Sequence, residues 1–288
     1  MKKNNQILSV QDFISILDRL ADFKFGELAL NIINEPFTDK SIIKKLLVIA
    51  ERPQSIDVLY FSSNWLIPNH RSIDEFIAAI EKCAAAENIA KIHLNATISG
   101  IDQNSYDIQQ AGANLTDAIA PYRPLNFDRA IDNVCRVLLG LSKIMGVEKI
   151  KFRIKSYGDI FTLKEMQEFW RDRFIKMDIP DSLLKQVKIG QNESFTTFAR
   201  SRSTNEDEAL SKCRRHWLDR RLVVGAEGEV GLCCEDGLRS IVVGNLLGQD
   251  LDMIVNSVSF QEHLAIATGQ KAAPGGHPCR RCSFFGEA

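Results

Sequence analysis

The positions of the cysteines constrain this chain more than any other feature of its sequence. Seven cysteines occur in 288 residues, and five of them lie in the last third, at positions 213, 233, 234, 279 and 282. Cys279 and Cys282 form a C-x2-C pair in a loop rich in proline and glycine, where turns allow both thiolates to face one metal. Together with Cys213 and Cys233 they supply four thiolates, the ligand set of tetrahedral zinc or of a cubane iron–sulfur cluster. The sequence therefore predicts a metal centre bound by Cys213, Cys233, Cys279 and Cys282.

The charge and hydropathy of the chain indicate which partners it binds and in which compartment of the cell it is found. The formal net charge is -1, so bulk electrostatics favour neither nucleic acid nor an anionic membrane. No apolar run reaches the ~18 residues that a membrane-spanning helix needs. The basic N-terminus is not followed by an apolar signal core, and a secreted disulfide scaffold would normally be shorter and carry a signal peptide. We expect a cytoplasmic protein that binds neither nucleic acid nor membranes.

Short apolar runs alternate with helical periods through the first 193 residues. Strands are predicted at 28–33, 56–61, 90–98, 147–154 and 184–189, and helices at 10–23, 41–50, 73–86, 127–141 and 163–174. This alternation indicates βα units and a parallel sheet, in which each crossover helix covers a face of the sheet. The strands are expected to be largely apolar on both faces. The pattern leaves open whether the sheet is doubly wound or wraps into a barrel.

A change of pattern near residue 194 predicts a domain boundary. Residues 194–212 are polar without a clear period, which is typical of a linker. The segment 213–288 predicts a β-hairpin over 221–234, a short strand over 241–243 and a helix over 251–267. We expect an α/β domain over 1–193, a linker, and a small metal-binding domain over 213–288.

The remaining cysteines and one histidine have other interpretations. Cys234 adjoins Cys233, and neighbouring side chains of a strand point to opposite faces, so only one of the two is a natural ligand. Cys83 and Cys135 fall within apolar helical patterns and are predicted to pack in the core. His277 could complete a zinc site or be an ordinary loop histidine.

The C-terminal motifs resemble those of a known domain family. They read Cys213-x14-Gly228-x4-Cys233, a Gly244-Asn245-Leu246 turn, a helix, and Pro278-Cys279-x2-Cys282. This set resembles the twitch or SPASM domain of radical S-adenosylmethionine (SAM) enzymes. The resemblance implies one auxiliary 4Fe-4S cluster, and its Gly-x4-Cys spacing selects Cys233 over Cys234.

Shorter segments of the N-terminal half resemble the radical SAM partial barrel. Asn34-Glu35-Pro36 resembles the Gly-Glu-Pro segment that binds the amino group of SAM, and Ser62-Ser63-Asn64 resembles a Ser-Thr-Asn-Gly segment, with Trp65 in place of glycine. Ile98 to Asp102, with Tyr106, resembles the strand region that approaches the ribose. The resemblance implies a partial (β/α)6 TIM-like barrel that contacts SAM through Asn34, Glu35, Ser63, Asn64 and Ser99.

One motif of the family does not occur in this sequence. Radical SAM enzymes hold the SAM-cleaving cluster with a Cys-x3-Cys-x2-Cys loop after the first barrel strand, and the 288 residues contain no such spacing. Residues 9–20 resemble the helix that follows that loop. We therefore expect a barrel without its first strand, and a chain that does not cleave SAM reductively by itself.

The resemblance implies a radical SAM/SPASM-type oxidoreductase or an enzyme that modifies peptides or natural products. Its substrate would be a small molecule or a peptide, and its electron donor a flavodoxin or ferredoxin. Two alternatives remain open on the sequence. One is a non-catalytic binding protein with a structural zinc site of four cysteines, and the other is a truncated paralogue that partners a complete enzyme.

Overall fold

The computed structural model of the chain separates into two compact units. One unit joins Met1–Ala21 to Phe195–Ala288, and the other is Asp22–Ser194. The structure describes residues 7–30, 35–98, 100–112, 126–145, 149–157, 161–192, 212–213, 221–234, 236, 240–282 and 285–286. The predicted domains assign the first 21 residues to the barrel instead, and their boundaries stay predictions.

Helices and strands alternate along the chain. The helices are α1 (Val10–Arg19), α2 (Ile42–Ala50), α3 (His70–Ala85), α4 (Gln103–Gly112), α5 (Phe127–Met145), α6 (Leu163–Lys176), α7 (Asp181–Leu184), α8 (Leu251–Val255) and α9 (Val258–Ala267). The strands are β1 (Leu28–Ala29), β2 (Ile56–Ser63), β3 (Ile89–Thr97), β4 (Ile150–Tyr157), β5 (Val187–Asn192), β6 (Lys212–Cys213), β7 (Val223–Val224), β8 (Glu229–Gly231), β9 (Gly244–Asn245) and β10 (Phe285–Gly286). Two 3-10 helices, Pro36–Thr38 and Pro278–Arg281, complete the described elements.

The second unit is built on a parallel sheet with the order β1-β2-β3-β4-β5. Strand order follows chain order and every pairing is parallel, so each connection crosses over to the next strand as a βα unit. One face of the sheet is apolar and buried, and its central side chains include Phe61, Leu94, Phe152 and Ile154. The prediction of an α/β fold with a parallel sheet is confirmed.

The other face of the sheet differs from the expectation of strands that are apolar on both sides. His93, Asn95 and Thr97 alternate with apolar residues along β3, and Arg153 and Lys155 do so along β4. Such period-2 alternation is typical of a strand with one apolar and one polar face. The expectation was wrong for these strands, because only one face of the sheet is apolar and the other carries polar and charged side chains.

The sequence predicts the positions of the helices more accurately than the residues at which they end. The Ser9 side chain accepts a hydrogen bond from the Asp12 backbone N–H, so α1 begins where the sequence predicts. The predicted helix over 251–267 is interrupted, because Ser257 caps a new helix, α9, after α8 has ended at Val255. The sequence analysis did not predict α4.

The first unit contains short strands and three of the helices. β7, β8 and β9 form a three-stranded antiparallel sheet, which confirms the predicted hairpin, and β6 pairs antiparallel with β10. The Arg19 guanidinium of α1 donates hydrogen bonds to the Asp250 carboxylate at 2.8 Å and to the Leu247 carbonyl at 3.3 Å. These contacts fasten α1 to the turn before α8.

Among the described helices, none combines the length and the apolar character that crossing a lipid bilayer requires.

Candidate functional site

Strand pairing connects the segments that carry three of the four predicted metal ligands in the first unit. Cys213 ends β6 and is paired in register with Phe285, three residues beyond Cys282. Cys279 lies within the second 3-10 helix, and its carbonyl accepts a hydrogen bond from the Cys282 N–H at 3.0 Å. The strand pairing therefore brings Cys213 to the segment that carries the C-x2-C pair.

The electrostatics of Cys279 show the same proximity. Burial, and after it the charges of Cys282, Cys213 and Asp236, together raise the pKa of its thiol to about 12. Each of these groups would repel a Cys279 thiolate, so the free thiol resists ionisation. A cationic iron or zinc centre reverses that balance, because metal coordination deprotonates a thiol outright.

Cys233 and Cys234 follow β8, at the end of the hairpin. Cys233 lines a small pocket together with Val223, Asp236 and Ile241. The Arg221 guanidinium donates a hydrogen bond to the Cys234 sulfur at 3.6 Å. The structure thus places the two neighbours in different surroundings, and the choice of Cys233 as the ligand stays a prediction.

The donor set suits a thiolate-bound centre in its chemistry. Thiolates are the ligands of iron–sulfur clusters and of structural zinc, and half-buried cysteines from a strand and a 3-10 helix can supply them. Within the part of the chain that the structure describes, no three cysteine, histidine or carboxylate side chains lie close enough to hold one metal ion. Cys213, Cys233, Cys279 and Cys282 are the residues that would hold the centre, and this ligand set stays a prediction.

His277 has a structural position beside Cys279. Its Nδ1 accepts a hydrogen bond from the Cys279 backbone N–H at 3.2 Å, so it caps the 3-10 helix, and its Nε2 lies 3.2 Å from Nδ1 of His263. Because Nδ1 is an acceptor, the neutral ring carries its proton on Nε2. Burial and the His263 charge lower the pKa of His277, which favours this neutral form. Both ring nitrogens are engaged in these contacts, which are typical of a loop histidine, and the role of His277 as a zinc ligand stays a prediction.

A second group of predicted residues converges at the carboxyl ends of β1 and β2. The Glu35 carboxylate accepts hydrogen bonds from the Ser63 hydroxyl at 2.8 Å, from the Asn64 N–H at 2.8 Å and from the Phe37 N–H at 3.2 Å. We call Glu35, Ser63 and Asn64 the Glu35 cluster. It joins the loop after β1 to the turn after β2, so residues 28 positions apart in the sequence form one site.

The Glu35 cluster holds its carboxylate in low-dielectric surroundings. Burial raises the pKa of Glu35 to about 7, although the hydrogen bonds from Asn64, Ser63 and Phe37 favour the ionised form. Desolvation is therefore the larger effect. A carboxyl group with this pKa exchanges its proton near neutral pH, which is uncommon outside functional sites.

Trp65 takes the place of glycine in the turn that follows. Its backbone lies in the left-handed region, with φ of 58°, where glycine is favoured. The Ser63 hydroxyl accepts a hydrogen bond from the Trp65 N–H at 2.9 Å, and the fully buried indole packs on the rings of Phe37, Phe61 and Phe76. The turn thus keeps a glycine-like backbone, and aromatic packing compensates for the strain.

The predicted cofactor contacts Asn34 and Ser99 lie outside the described residues. The segment after Ser99 turns tightly into α4, since a Cβ at Gly100 would come within 2.7 Å of the Tyr106 backbone. The Asp102 carboxylate caps this turn by accepting a hydrogen bond from the Ser105 N–H at 2.7 Å. The helix that this capped turn begins was missed, although an Asp-x-x-Ser spacing marks its start.

Comparison with known proteins identifies the domain that carries the cysteines. The SPASM family, described as an iron–sulfur cluster-binding domain, matches residues 213–283. This segment is a SPASM domain. The match spans Cys213, Cys233, Cys279 and Cys282, and no curated protein matches the chain.

Solved structures share the fold of the chain at low sequence identity. SuiB from Streptococcus suis, solved with S-adenosylmethionine bound, is 13% identical with a TM-score of 0.52, over 95% of this chain and 63% of SuiB. BtrN in complex with AdoMet and 2-DOIA is 11% identical with a TM-score of 0.48, over 98% of this chain and 82% of BtrN. The anSMEcpe structure with bound AdoMet is 12% identical with a TM-score of 0.44, over 98% of this chain and 79% of that protein.

The likeness to SuiB shows a shared fold. The predicted architecture, a partial barrel of radical SAM type followed by a small SPASM-type domain of antiparallel strands and helices, is confirmed. The predicted iron–sulfur character of the C-terminal domain is confirmed by the SPASM match. The individual ligands stay predictions.

Replacing either cysteine of the C-x2-C pair tests the ligand set. Cys279→Ala and Cys282→Ala should each lose most of the iron bound after anaerobic reconstitution and should destabilise the SPASM domain, because ligation contributes directly to the folding of small metal domains. Iron analysis and thermal unfolding measure the two effects. Cys83→Ala, at a buried core cysteine, is the matched control and should keep its iron. Unchanged iron in both C-x2-C variants would contradict the assignment.

The adjacent cysteines of the hairpin provide a second test. Cys233→Ser should lose the cluster, since Gly228-x4-Cys233 has the SPASM spacing, whereas Cys234→Ser should retain it. Visible absorption of the sulfur-to-iron charge transfer distinguishes the two variants. The opposite result would mean that Cys234, the acceptor of the Arg221 hydrogen bond, is the ligand.

Titration of Glu35 should appear in the stability of the chain. The ordinary carboxyl pKa is 4.5 and burial raises it to about 7, so over this interval the unfolded state releases a proton that the folded state keeps. Stability is therefore highest at low pH and falls as the pH rises through about 7. Relative to Glu35→Gln, the wild type should lose about 3 kcal/mol of unfolding free energy across this window. Urea unfolding at several pH values measures this difference, and parallel curves for the two proteins would refute it.

Proposed function

We propose that this chain is the SAM-binding and auxiliary-cluster part of a radical SAM/SPASM-type enzyme. The observation that carries the proposal is the Glu35 cluster, in which the two segments that resemble SAM-binding motifs meet at the carboxyl edge of a parallel sheet. Ligands of α/β sheets and barrels bind at this edge, outside the carboxyl ends of the strands. The SuiB structure has S-adenosylmethionine bound within the same fold, which supports this choice of ligand.

The residues of the Glu35 cluster would orient SAM through the backbone that they fix. The carboxylate of Glu35 accepts hydrogen bonds from the Ser63 hydroxyl and the Asn64 N–H, so it sets the shape of the turn after β2. The Asn64 side chain accepts a hydrogen bond from the Leu66 N–H at 2.9 Å, which holds the next residue of the turn. The cluster thus presents a rigid edge to the adenosyl or methionyl group.

Cysteines of the SPASM domain would hold the auxiliary 4Fe-4S cluster. When bound, this cluster supplies a one-electron acceptor or a substrate contact. Cys213, Cys233, Cys279 and Cys282 would be its thiolate ligands, and His277 would fix the backbone of Cys279 against His263. We further propose that the reaction is an oxidation or a peptide or natural-product modification, that a flavodoxin or ferredoxin delivers electrons, and that the protein is cytoplasmic.

Reductive cleavage of SAM needs a second set of thiolates. The 288 residues contain no Cys-x3-Cys-x2-Cys spacing to bind a SAM-cleaving cluster. We therefore propose that this chain alone binds SAM without cleaving it, and that the cleaving cluster is supplied from outside these residues.

SAM binding by the anaerobically reconstituted full chain tests the proposal. Equilibrium dialysis should show SAM binding by the wild type, a loss of about tenfold or more in Glu35→Gln, because one acceptor of the cluster is removed, and no change in the exposed control Glu81→Gln. Dithionite should produce no 5′-deoxyadenosine from the wild type.

The outcomes separate this function from its alternatives. One equivalent of zinc, no iron and no SAM binding would replace the proposal with a binding protein that has a structural zinc site. SAM affinity that is equal in the wild type and Glu35→Gln would remove the Glu35 cluster from the cofactor site.

A further inference from the structure

The polar face of the parallel sheet carries aligned polar and basic side chains. Ser62 of β2 is in register with Asn95 of β3, and Asn95 is in register with Arg153 of β4. His93 and Thr97 lie two residues before and two residues after Asn95 on β3. Because side chains alternate along a strand, they point to the same face of the sheet as Asn95. Lys155 of β4 is in register with Thr97. We call His93, Asn95, Arg153 and Lys155 the basic face.

Asn95 is a buried polar residue that has no hydrogen-bond partner among the described residues. The residue has no exposed surface, and neither its Nδ2 nor its Oδ1 forms a hydrogen bond within the described part of the chain. Nearly all buried polar atoms in folded proteins have a partner, and an unsatisfied one destabilises the fold. His93 Nε2 and Arg153 Nε, on the same face, are also buried and unpartnered among the described residues. Four unsatisfied polar atoms therefore lie on one face of the sheet in the described part of the chain.

Two cations of the basic face, Arg153 and Lys155, lie close together on β4. Lys155 Nζ lies 5.8 Å from the centre of the Tyr60 ring, and neither Lys155 nor Arg153 is ion-paired within the regions that the structure describes. Burial and the Arg153 charge lower the pKa of Lys155, against a smaller opposing effect of Glu27. The pKa of His93 is lowered by burial and, to a smaller extent, by four neighbouring cations, Arg153, Lys151, Lys91 and Lys155. The face is therefore electropositive and partly desolvated, which suits an anion.

The basic face is distinct from the Glu35 cluster. Ser62 shares the basic face with Asn95, and its hydroxyl lies 3.3 Å from that of Thr97. Ser63 is the next residue of β2, so its side chain points to the other face of the sheet, where it meets Glu35. The two groups of side chains can therefore bind different parts of the ligands.

We propose that the basic face binds an oxyanion, a carboxylate or phosphate, on the substrate of this enzyme. Arg153 and Lys155 supply the charge, and the Asn95 amide donates one hydrogen bond to the ligand and accepts another from it. The substrate class is then an anionic small molecule or an acidic peptide with a donor group beside its oxyanion. This assignment rests on the proposed radical SAM function. The methionyl carboxylate of SAM has the same chemistry, and the experiments separate the two sources.

The stability of Asn95→Leu is the first test. Leucine has a similar shape and no polar atoms, so the variant should raise the thermal midpoint by roughly 2–4 °C, because it removes unsatisfied buried groups. Asn88→Leu is the matched control, since the Asn88 amide donates hydrogen bonds to the carbonyls of Ile49, Arg52 and Gln54 at 2.7–3.3 Å. This control should lower the midpoint. A fall of similar size in both variants would show that Asn95 is a satisfied structural residue and would overturn the proposal.

Binding of simple oxyanions by the full chain is the second test. Succinate and inorganic phosphate are titrated at constant ionic strength and followed by ligand NMR, with succinamide as the neutral counterpart of succinate. At least one oxyanion should bind the wild type, and Arg153→Gln and Asn95→Leu should each weaken that binding tenfold or more. Lys44→Gln removes a positive charge from an exposed position on α2 and should leave the oxyanion affinity unchanged. Equal affinity in the wild type and Arg153→Gln, or equal binding of succinamide, would overturn the proposal.

SAM affinity distinguishes the two sources of the oxyanion. If the basic face serves the substrate, Arg153→Gln should bind SAM and decarboxylated SAM as the wild type does. A tenfold loss of SAM affinity with no loss for decarboxylated SAM would assign the face to the SAM carboxylate and overturn the substrate assignment. Failure of the wild type to bind SAM at all would refute the proposed function, and the succinate and phosphate titrations would still report on the face.

Discussion

The buried carboxylate of Glu35 is the interaction on which the proposed cofactor edge depends. The carboxylate accepts hydrogen bonds from the Ser63 hydroxyl and the Asn64 N–H. These hydrogen bonds connect two loops that belong to different βα units. Burying a carboxylate is unfavourable unless hydrogen bonds compensate, and here the compensation is incomplete, since the pKa of Glu35 rises to about 7. The fold thus maintains a strained but ordered edge. Trp65 contributes to the same edge, because its left-handed backbone persists only while its indole stays packed among phenylalanine rings.

The SPASM domain depends on its cysteines in a different way. Its described strands have two or three residues each, so backbone pairing alone gives little stability. Small domains of this kind gain stability from metal ligation, and binding free energy then becomes folding free energy. Burial and, to a smaller extent, neighbouring charges raise the pKa of the Cys279 thiol, which is consistent with a site whose stable form includes a cationic centre.

The sequence predicts the elements of this protein better than it predicts their surroundings. Helix positions follow from apolar periods and caps such as Ser9, and the motif spacing of Cys213, Gly228 and Cys233 indicates the SPASM domain. The proximity of Glu35 and Ser63 was not predictable from either segment alone, because it requires the parallel pairing of β1 with β2. The glycine-like backbone of Trp65 was equally hidden, since it depends on packing contacts from distant residues.

The polar face of the sheet shows where the interpretation of sequence pattern went wrong. Polar and apolar residues alternate strictly from Lys151 to Ile154 on β4. This pattern indicates a strand with one polar face. The general rule that parallel strands are apolar on both sides concealed it. That rule fails on the face of this sheet that carries Asn95 and Arg153. Residues that depart from a folding rule are good candidates for function, as Asn95 and Arg153 illustrate.

Iron K-edge X-ray absorption of the anaerobically reconstituted full chain tests the central claim most directly. The account predicts a first shell of sulfur and a second shell of iron, as in a thiolate-bound 4Fe-4S cluster. An iron spectrum without iron–iron scattering, or a protein that takes up zinc and no iron, would contradict it.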